Sequence, residues 1–191
     1  MLPASRYGLF GTLYWQIRED WTVYRDWTKP GFRALAVHRF GALLKDRRRG
    51  VLWWALSMLY RAMYRYIRNH YGIELPDTTI IGRRFIIGHQ SGIVIHYDAE
   101  FGDDCIIRQN VTVGRLGDWR KDRAAKFGNR VHIGAGAVIV GGVTIGDDVQ
   151  IGPNAVVMTD VPAGATVFVA APRVIQMRKA QENSAESMEA N

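Results

Sequence analysis

The side chain best suited to chemistry in this sequence is His89, which stands in the short segment Gly88–Gly92, GHQSG. An imidazole titrates near neutral pH, so it can accept or release a proton under physiological conditions. His89 comes two residues after Ile87, one of the large residues whose spacing directs them into the core. The imidazole should therefore point outward, where its small neighbours leave it accessible to a substrate.

A second candidate segment is the loop from Gly114 to Lys126, with the sequence GRLGDWRKDRAAK. Both segments interrupt a regular repeat, because the spacing is eight residues from Ile87 to Ile95 and fourteen from Val113 to Phe127, where six is the rule. Loops on a rigid scaffold commonly carry binding and catalytic groups. We expect the functional site at these two interruptions.

The composition favours an anionic partner. The formal net charge is +7 and the pI is about 9.8, which suits a polyphosphorylated cofactor, an anionic substrate, a membrane surface or nucleic acid. No nucleic-acid recognition motif accompanies the charge, so no nucleic-acid partner is expected. The five histidines show no ligand cluster of the usual spacing, so no metal is expected. The single cysteine, Cys105, suits a reducing compartment and occupies an inward, packing position.

The repeat places a large apolar residue at every sixth position and a small apolar residue four places later. In its longest run the large residues are Phe127, Ile133, Ile139, Ile145, Ile151 and Val157. A period of six fits neither a helix face nor a two-sided strand, but it fits a solenoid of stacked coils. If three hexads close one triangular turn, residues eighteen apart stack, and the twelve hexads from Ile81 to Val161 form about four coils. The sequence therefore predicts a mainly β solenoid.

Residues 8–71, which come before the solenoid, are predicted to be helical. One segment covers Ile17–Asp26, a second begins at Pro30, and a third covers Val51–Tyr71 after a break at residues 45–49. Pro76 should mark the switch from helix to strand. We expect these helices to cover the open edge of the first coil, because an uncovered sheet edge invites aggregation.

Three domains follow from these patterns. Residues 1–75 form an N-terminal α-helical domain, residues 76–171 form the β-helix, and residues 172–191 form a C-terminal extension that is partly disordered. The start of the chain lacks the features of a secretory signal, so a cytoplasmic location is expected.

The third helical segment leaves two interpretations open. Arg61, Arg65 and Arg68 recur at helical spacing and form a basic stripe, and Trp53 and Trp54 come before them. A core helix with a solvated face is one interpretation. The other is an interfacial helix in peripheral contact with the inner face of the membrane.

With these motifs in hand, the chain resembles the serine acetyltransferases, a branch of the left-handed parallel β-helix acyltransferases. The similarity extends from about Ile17 to Ile175 and includes PGFRALAVHRFG at Pro30–Gly41, the segment around His89, and NVTVG ending at Gly114. It also includes the long run IGAGAVIVGGVTIGDDVQIGPNAVVMTDVPAGA. The left hand is implied by the resemblance alone, since right-handed crossovers are the general rule.

The resemblance implies direct transfer of an acetyl group from acetyl-CoA to an acceptor hydroxyl. His89 matches the family's general base, which takes the hydroxyl proton as the oxygen attacks the thioester. Glu74 stands where the family has the aspartate that orients this histidine, a task a glutamate can also perform. The alternative for Glu74 is a solvated acid at a helix end.

The resemblance also implies a homotrimer that binds acetyl-CoA between two subunits. Gly114, Ala135 and Pro153 match positions that line the pantetheine groove, although proline lacks a backbone donor. Arg173 and Lys179, with Arg178 beside them, could meet the nucleotide phosphates. A basic solvated tail is the alternative for these last residues.

The acceptor is less clearly implied, because free serine needs a cation for its carboxylate and an anion for its ammonium group. Arg123 matches the family's arginine for the carboxylate, but Gly88 and Ala124 replace an aspartate and a histidine. Asp26 is the candidate to replace a further aspartate in a shortened part of the helical domain. We therefore expect a sugar or polysaccharide hydroxyl as acceptor, with serine O-acetylation for cysteine biosynthesis as the alternative.

Two further expectations concern partners. A non-catalytic scaffold that binds through its basic helices is an alternative of another class. The chain ends Glu189-Ala190-Asn191 and lacks the terminal isoleucine by which the family docks into cysteine synthase, so that complex is not expected.

Overall fold

A computed structural model describes residues 8–45, 50–117 and 123–170 of the chain. Three helices come first: α1 (Gly8–Tyr24), α2 (Pro30–Leu44) and α3 (Val51–Tyr66), followed by a π-helical turn at Ile67–Tyr71. The three predicted helical segments are thus present, and helix begins at Gly8, where the helical region was predicted to start. The first helix includes the predicted segment from Ile17 but ends at Tyr24, two residues before the predicted Asp26. It ends there because Arg25 has a φ of 48°, in the left-handed region.

The switch from helix to strand occurs at Gly72, four residues before the predicted Pro76. Gly72 closes the π-helical turn in the left-handed conformation, with a φ of 64°, and its N–H donates to the carbonyl of Arg68. Glycine adopts this conformation without the penalty that other residues incur. The first strand therefore begins at Ile73, three residues inside the domain that was predicted to be helical.

Short strands make up the rest of the described chain. They are β1 (Ile73–Glu74), β2 (Ile80–Ile81), β3 (Ile86–Ile87), β4 (Ile93–Ile95), β5 (Glu100–Phe101), β6 (Ile106–Ile107), β7 (Thr112–Gly114), β8 (Lys126–Phe127), β9 (His132–Ile133), β10 (Val138–Val140), β11 (Thr144–Ile145), β12 (Gln150–Ile151), β13 (Val156–Val157) and β14 (Thr166–Val167).

The strands stack into three parallel sheets that form the sides of a triangular prism. The first sheet has the order β1-β4-β7-β10-β13, the second β2-β5-β8-β11, and the third β3-β6-β9-β12-β14. From β1 to β13 successive strands go to successive sheets, so each coil contributes one strand to each side. After β13 the second sheet receives only an isolated bridge between Ile145 and Val161, and β14 joins the third sheet. The stack includes β1 before the predicted start and β14 after Val161, so it is slightly longer than the four coils expected.

The strand register confirms that residues eighteen apart stack. Phe127 pairs with Ile145 and Ile133 pairs with Ile151. The two interruptions lengthen the coils that contain them. Ile87 pairs with Ile107, twenty residues on, because the His89 segment adds two residues. Ile107 in turn pairs with Ile133, twenty-six residues on, because the second loop adds eight.

The large and small positions of the repeat fill the prism. The rings of Phe101 and Phe127 stack with their centroids 4.4 Å apart, and Phe85 meets Phe101 edge-on. Cys105 is fully buried, as predicted, and burial raises the pKa of its thiol to about 11. Gly82 faces the next coil so closely that a Cβ would lie 2.2 Å from the carbonyl oxygen of Gly102.

The helices cover the open edge of the first coil, as predicted. Arg39 donates to the carbonyls of Ile81 and Gly82, and its guanidinium pairs with buried Asp20 on α1. A ring nitrogen of His38 bonds the carbonyl of Thr79 at 3.0 Å. Side chains of α2 thus satisfy backbone acceptors that a preceding coil would otherwise occupy, since each coil donates its strand N–H groups to the carbonyls of the coil after it.

Candidate functional site

His89 lies at the corner between the third and first sheets, in the first coil. It is exposed, and the two extra residues of its segment fold outward because Ser91 and Gly92 have φ values of 89° and 66°. A Cβ at Gly92 would lie 2.1 Å from Oδ1 of Asn110 in the next coil, so the close packing requires glycine here. The segment therefore presents the imidazole to solvent from a fixed backbone.

The same corner recurs in each later coil beneath His89. The N–H of Asn110 donates to Ser91, that of Gly136 donates to Gln109, and that of Asn154 donates to Ala135. Each contact joins one coil to the next, so His89, Ala135 and Pro153 belong to one column. With coils about 4.8 Å apart, Ala135 lies two coils, or roughly 10 Å, from the level of His89.

A groove of about 380 Å³ follows this column on the side of the third sheet. Ala135 and Pro153 line it, together with Arg108, His132 and Gln150. The structure thus brings together two of the three predicted pantetheine positions. The lining residues of the groove come from three successive coils, and Arg108 gives it a positive charge.

Glu74 lies on β1, where it pairs with Val94 of the first sheet. The preceding Gly72 packs against Ser91 and Gly92, so β1 borders the His89 segment. Within the described ranges no hydrogen bond joins Glu74 to His89. The carboxylate of Glu74 lies near Tyr64 instead. Burial raises the pKa of Tyr64 to about 12, and the negative charge of Glu74 adds to that rise.

Arg123 lies at a different corner, between the first and second sheets. It is exposed and lines a cavity of about 360 Å³ with Asp98, Glu100, Lys126 and Lys45. The nearby carboxylates have cationic partners. Asp98 pairs with Arg115, and Oε1 of Glu100 lies 2.7 Å from Nζ of Lys126. This cavity therefore offers both signs of charge.

Gly114 belongs to the corner of Arg123 and not to that of His89. It ends β7, and its carbonyl accepts a hydrogen bond from the N–H of Gly141 at 3.1 Å. Within one chain the predicted groove positions therefore divide between two corners, with Ala135 and Pro153 on one and Gly114 on the other.

Asp26 lies in the connection between α1 and α2. Its Oδ1 accepts hydrogen bonds from the N–H and the hydroxyl of Thr28, at 2.8 and 2.6 Å, and these bonds lower the pKa of the carboxyl. The end of α1 contacts the strand that comes before the His89 segment, because the hydroxyl of Tyr24 accepts from the N–H of Ile87 at 2.6 Å. In this arrangement Asp26 stabilises the turn.

Some site residues were not found by sequence reasoning. Asp98 and Glu100 flank the inward Ala99, and the hexad rule alone already points both outward. The partnership of Glu100 with Lys126 follows from the twenty-six-residue register, which could be computed from the length of the second interruption. The buried side chain of Ala124 lines the same cavity, where a larger side chain would fill part of it.

Other predictions fall elsewhere. Arg173, Arg178, Lys179 and the extension 172–191 lie outside the described residues. In the part of the chain that the structure describes, no group of acidic, histidine and cysteine side chains could hold a metal ion. None of the described helices has the length and apolar character to cross a membrane.

Comparison with known proteins gives consistent matches. The family model "Bacterial transferase hexapeptide (six repeats)" matches residues 124–159. The serine acetyltransferase of Helicobacter pylori strain J99 is 40% identical over 158 residues, which cover 83% of this chain and 87% of the relative. The serine acetyltransferase of Synechococcus elongatus is 38% identical over 146 residues, 76% of this chain and 57% of the relative.

Solved structures show the same fold. Serine acetyltransferase isoform 3 of Entamoeba histolytica, in complex with cysteine, superposes with a TM-score of 0.73 at 23% identity and covers 95% of this chain. The soybean serine acetyltransferase apoenzyme superposes with a TM-score of 0.70 at 30% identity and covers 81% of this chain. The chain spans about two thirds of the length of these two structures, 66% and 65%. The stack is therefore the left-handed β-helix that the resemblance implied.

Proposed function

The chain belongs to the serine acetyltransferase family, and we propose that it transfers the acetyl group of acetyl-CoA to the hydroxyl of free L-serine. The family assignment makes it an acetyl-CoA-dependent acyltransferase that needs no metal. The preference for a sugar acceptor is not supported, since the matched relatives are named serine acetyltransferases. The alternative, O-acetylserine formation, is better supported.

His89 is proposed as the general base of this transfer. The neutral imidazole accepts the hydroxyl proton while the serine oxygen bonds to the thioester carbonyl carbon. The tetrahedral intermediate then collapses, the bond from carbon to sulfur breaks, and the proton passes to the departing CoA thiolate. The exposed position of His89 supports this role, because both substrates can approach it from solvent.

Glu74 is proposed as a positioning residue for His89. Its strand borders the His89 segment through the contact of Gly72 with Ser91 and Gly92. A carboxylate at this edge would hold one tautomer of the imidazole and stabilise the imidazolium that forms. This role requires the side chain of Glu74 to turn from the vicinity of Tyr64 toward His89.

A homotrimer is proposed because the required groups lie at different corners of one prism. Ala135 and Pro153 are in the column of His89, whereas Gly114 and Arg123 are at the next corner. Groups at separate corners of a filled prism cannot converge within one chain. If three prisms pack around a threefold axis, the His89 corner of one subunit can face the Arg123 corner of its neighbour.

The observation that carries the choice of acceptor is the mixed charge of the cavity at Arg123. Free serine has a carboxylate and an ammonium group. Arg123 supplies the cation for the carboxylate, and Asp98 and Glu100, which pair with Arg115 and Lys126, are the anions in the same cavity. These acids offer a substitute for the aspartate that Gly88 replaces.

A glycan hydroxyl is the second candidate acceptor. Gly88 and Ala124 each remove a family contact to serine, and an unpaired ammonium would cost several kcal/mol on burial. Both substitutions also enlarge the site. A sugar hydroxyl has no ammonium group, so this candidate gives the carboxylates beside Arg123 no charge to bind.

The test is thiol release from acetyl-CoA by the full chain, with L-serine, nucleotide sugars or lipid-linked glycans as acceptor. We expect turnover with L-serine, and a raised KM for serine in Arg123→Ala but not in Arg130→Ala, which removes an exposed arginine from another surface. Turnover with a glycan and none with serine would establish the second candidate. Absence of turnover with every acceptor would favour the non-catalytic scaffold.

A further inference from the structure

Helix α3 directs only a narrow face toward the rest of the protein. Tyr60 is the buried side chain of this helix, and Trp53, Leu56 and Tyr64 pack against the core while partly exposed. At about 100° per residue these four positions lie within one arc of the helix. The remaining surface of α3 faces solvent.

Much of that solvent-facing surface is apolar. The exposed fractions are 84% for Val51, 67% for Leu52, 51% for Leu59, 36% for Met63 and 53% for Tyr66. The helical period places all five along one side of α3, in an arc of roughly 120°. We call these five residues the apolar stripe. Exposed apolar residues gathered in this way mark an interaction surface, whereas scattered ones need no explanation.

A basic stripe lies on the solvent-facing surface of α3 and of the π-helical turn that continues it, between the apolar stripe and the covered face. Arg61, Arg65 and Arg68 are all exposed and follow one another at helical spacing. Trp54, which is 64% exposed, lies about two turns before Arg61 on the same side of the helix. The helix contains no acidic residue. In the described ranges no carboxylate forms an ion pair with these three arginines.

An apolar groove continues the apolar stripe toward α2. It has a volume of about 530 Å³, and Met63 and Tyr66 line it together with Trp27, Phe32 and Arg33. The guanidinium of Arg33 lies over the ring of Trp27, 5.1 Å from its centroid. The stripe and the groove thus form one apolar surface with positive charge along its margins.

We propose that α3 docks this surface on an anionic lipid bilayer. The helix would lie in the plane of the interface, with the apolar stripe among the upper acyl chains and the basic stripe against acidic headgroups. Tryptophan is favoured at this depth, which suits Trp54 and Trp27. The net charge of +7 adds a general attraction to such a membrane.

A lipid surface fits these charges better than a second copy of the chain. A twofold contact between apolar stripes would bring the basic stripe of each copy near the other, and no acidic residue of α3 could offset the repulsion. Anionic headgroups instead complement every arginine on the margin.

The experiment is flotation of the purified full chain with vesicles of phosphatidylglycerol and phosphatidylcholine in equal parts, and with vesicles of phosphatidylcholine alone. Leu59→Glu should weaken binding to the anionic vesicles by at least about tenfold, because it removes a leucine that would be buried among the acyl chains and adds a charge that the acidic headgroups repel. Each arginine near such a surface contributes about fivefold, so replacing all three with glutamine should weaken binding by about 100-fold. Val156→Glu, which alters an exposed valine of the β-helix, is the matched control and should bind as the unaltered chain does.

Two readouts separate the outcomes. Leu59→Glu should keep the solution rate of thiol release from acetyl-CoA, which shows that it is folded. Binding that is equal for both vesicle types, or that is unchanged in Leu59→Glu, would overturn the proposal. A concentration-dependent oligomer abolished by Leu59→Glu, without vesicle binding, would assign the surface to self-association and also overturn it.

Discussion

The buried ion pair between Arg39 and Asp20 should be the strongest single link between the helices and the β-helix. The two side chains are 6% and 3% exposed, and Nε of Arg39 lies 3.1 Å from Oδ2 of Asp20. The same guanidinium donates to the carbonyl of Ile81 at 2.7 Å and to that of Gly82. Arg39→Leu would leave one carboxylate and two carbonyl oxygens without this donor.

We expect Arg39→Leu to lower the free energy of unfolding by about 3–5 kcal/mol, the usual cost of removing one partner from a buried pair. Arg130→Leu is the control, since Arg130 and Asp148 form a pair that is more than half exposed, at 53% and 54%. Exposed pairs contribute at most about 1 kcal/mol. Urea denaturation followed by circular dichroism measures both, because that signal reports the loss of the helices and of the β-helix that contains Arg130.

The pH dependence gives a second check on the same variant. Burial raises the pKa of Asp20, and Arg39 opposes that rise. Without Arg39 the pKa should rise further, so protonation relieves the uncompensated charge and the cost of Arg39→Leu shrinks as the pH falls. The double variant Asp20→Leu/Arg39→Leu should cost less than the sum of its single changes. A loss in Arg39→Leu no larger than that in Arg130→Leu would refute the reasoning.

Three further predictions concern packing and titration. Gly31→Ala should destabilise the protein by about 1–3 kcal/mol despite the better helix propensity of alanine, because its Cβ would lie 2.4 Å from the carbonyl oxygen of Ile87. Thermal unfolding measures this change, and an unchanged or raised Tm would contradict it. Cys105 should resist thiol reagents at about pH 8 until the protein unfolds, since burial raises its pKa to about 11; stoichiometric labelling of the native protein would contradict this. Arg83 and Arg84 hold the pKa of Glu19 below its ordinary 4.5, so the stability that Glu19 contributes is present above that value and lost as the pH falls through the lowered one. Glu19→Gln should therefore show a smaller loss of stability on acidification, and an unchanged acid transition would count against the assignment.

The solenoid could be predicted in detail because its period is strict. Each large residue fixes the inward direction of one strand, so the pairing of Phe127 with Ile145 followed from counting. The ends of the stack could not be found in this way. Ile73 enters the first sheet although it lies outside the hexad series, since it is held by the turn at Gly72 and by pairing with Ile93.

The candidate site could be predicted only in part. The outward position of His89 followed from its distance to Ile87. The separation of Arg123 from His89 also follows from counting hexads, because one interruption comes after Ile87 of the third sheet and the other after Val113 of the first. The solvent exposure of α3, by contrast, is a tertiary property: the sequence showed an amphipathic helix, but only the packing on α2 reveals which of its sides is covered.

The most direct test of the proposed chemistry is the rate of thiol release from acetyl-CoA with L-serine in His89→Ala. We expect kcat to fall by roughly 100- to 10,000-fold, with the KM for acetyl-CoA little changed, because the variant loses the general base and keeps the groove. His70→Ala is the matched control, since it removes an exposed histidine of the helical domain and should retain the rate. A kcat in His89→Ala within a few-fold of the His70→Ala value would contradict the assignment of His89 as the proton acceptor.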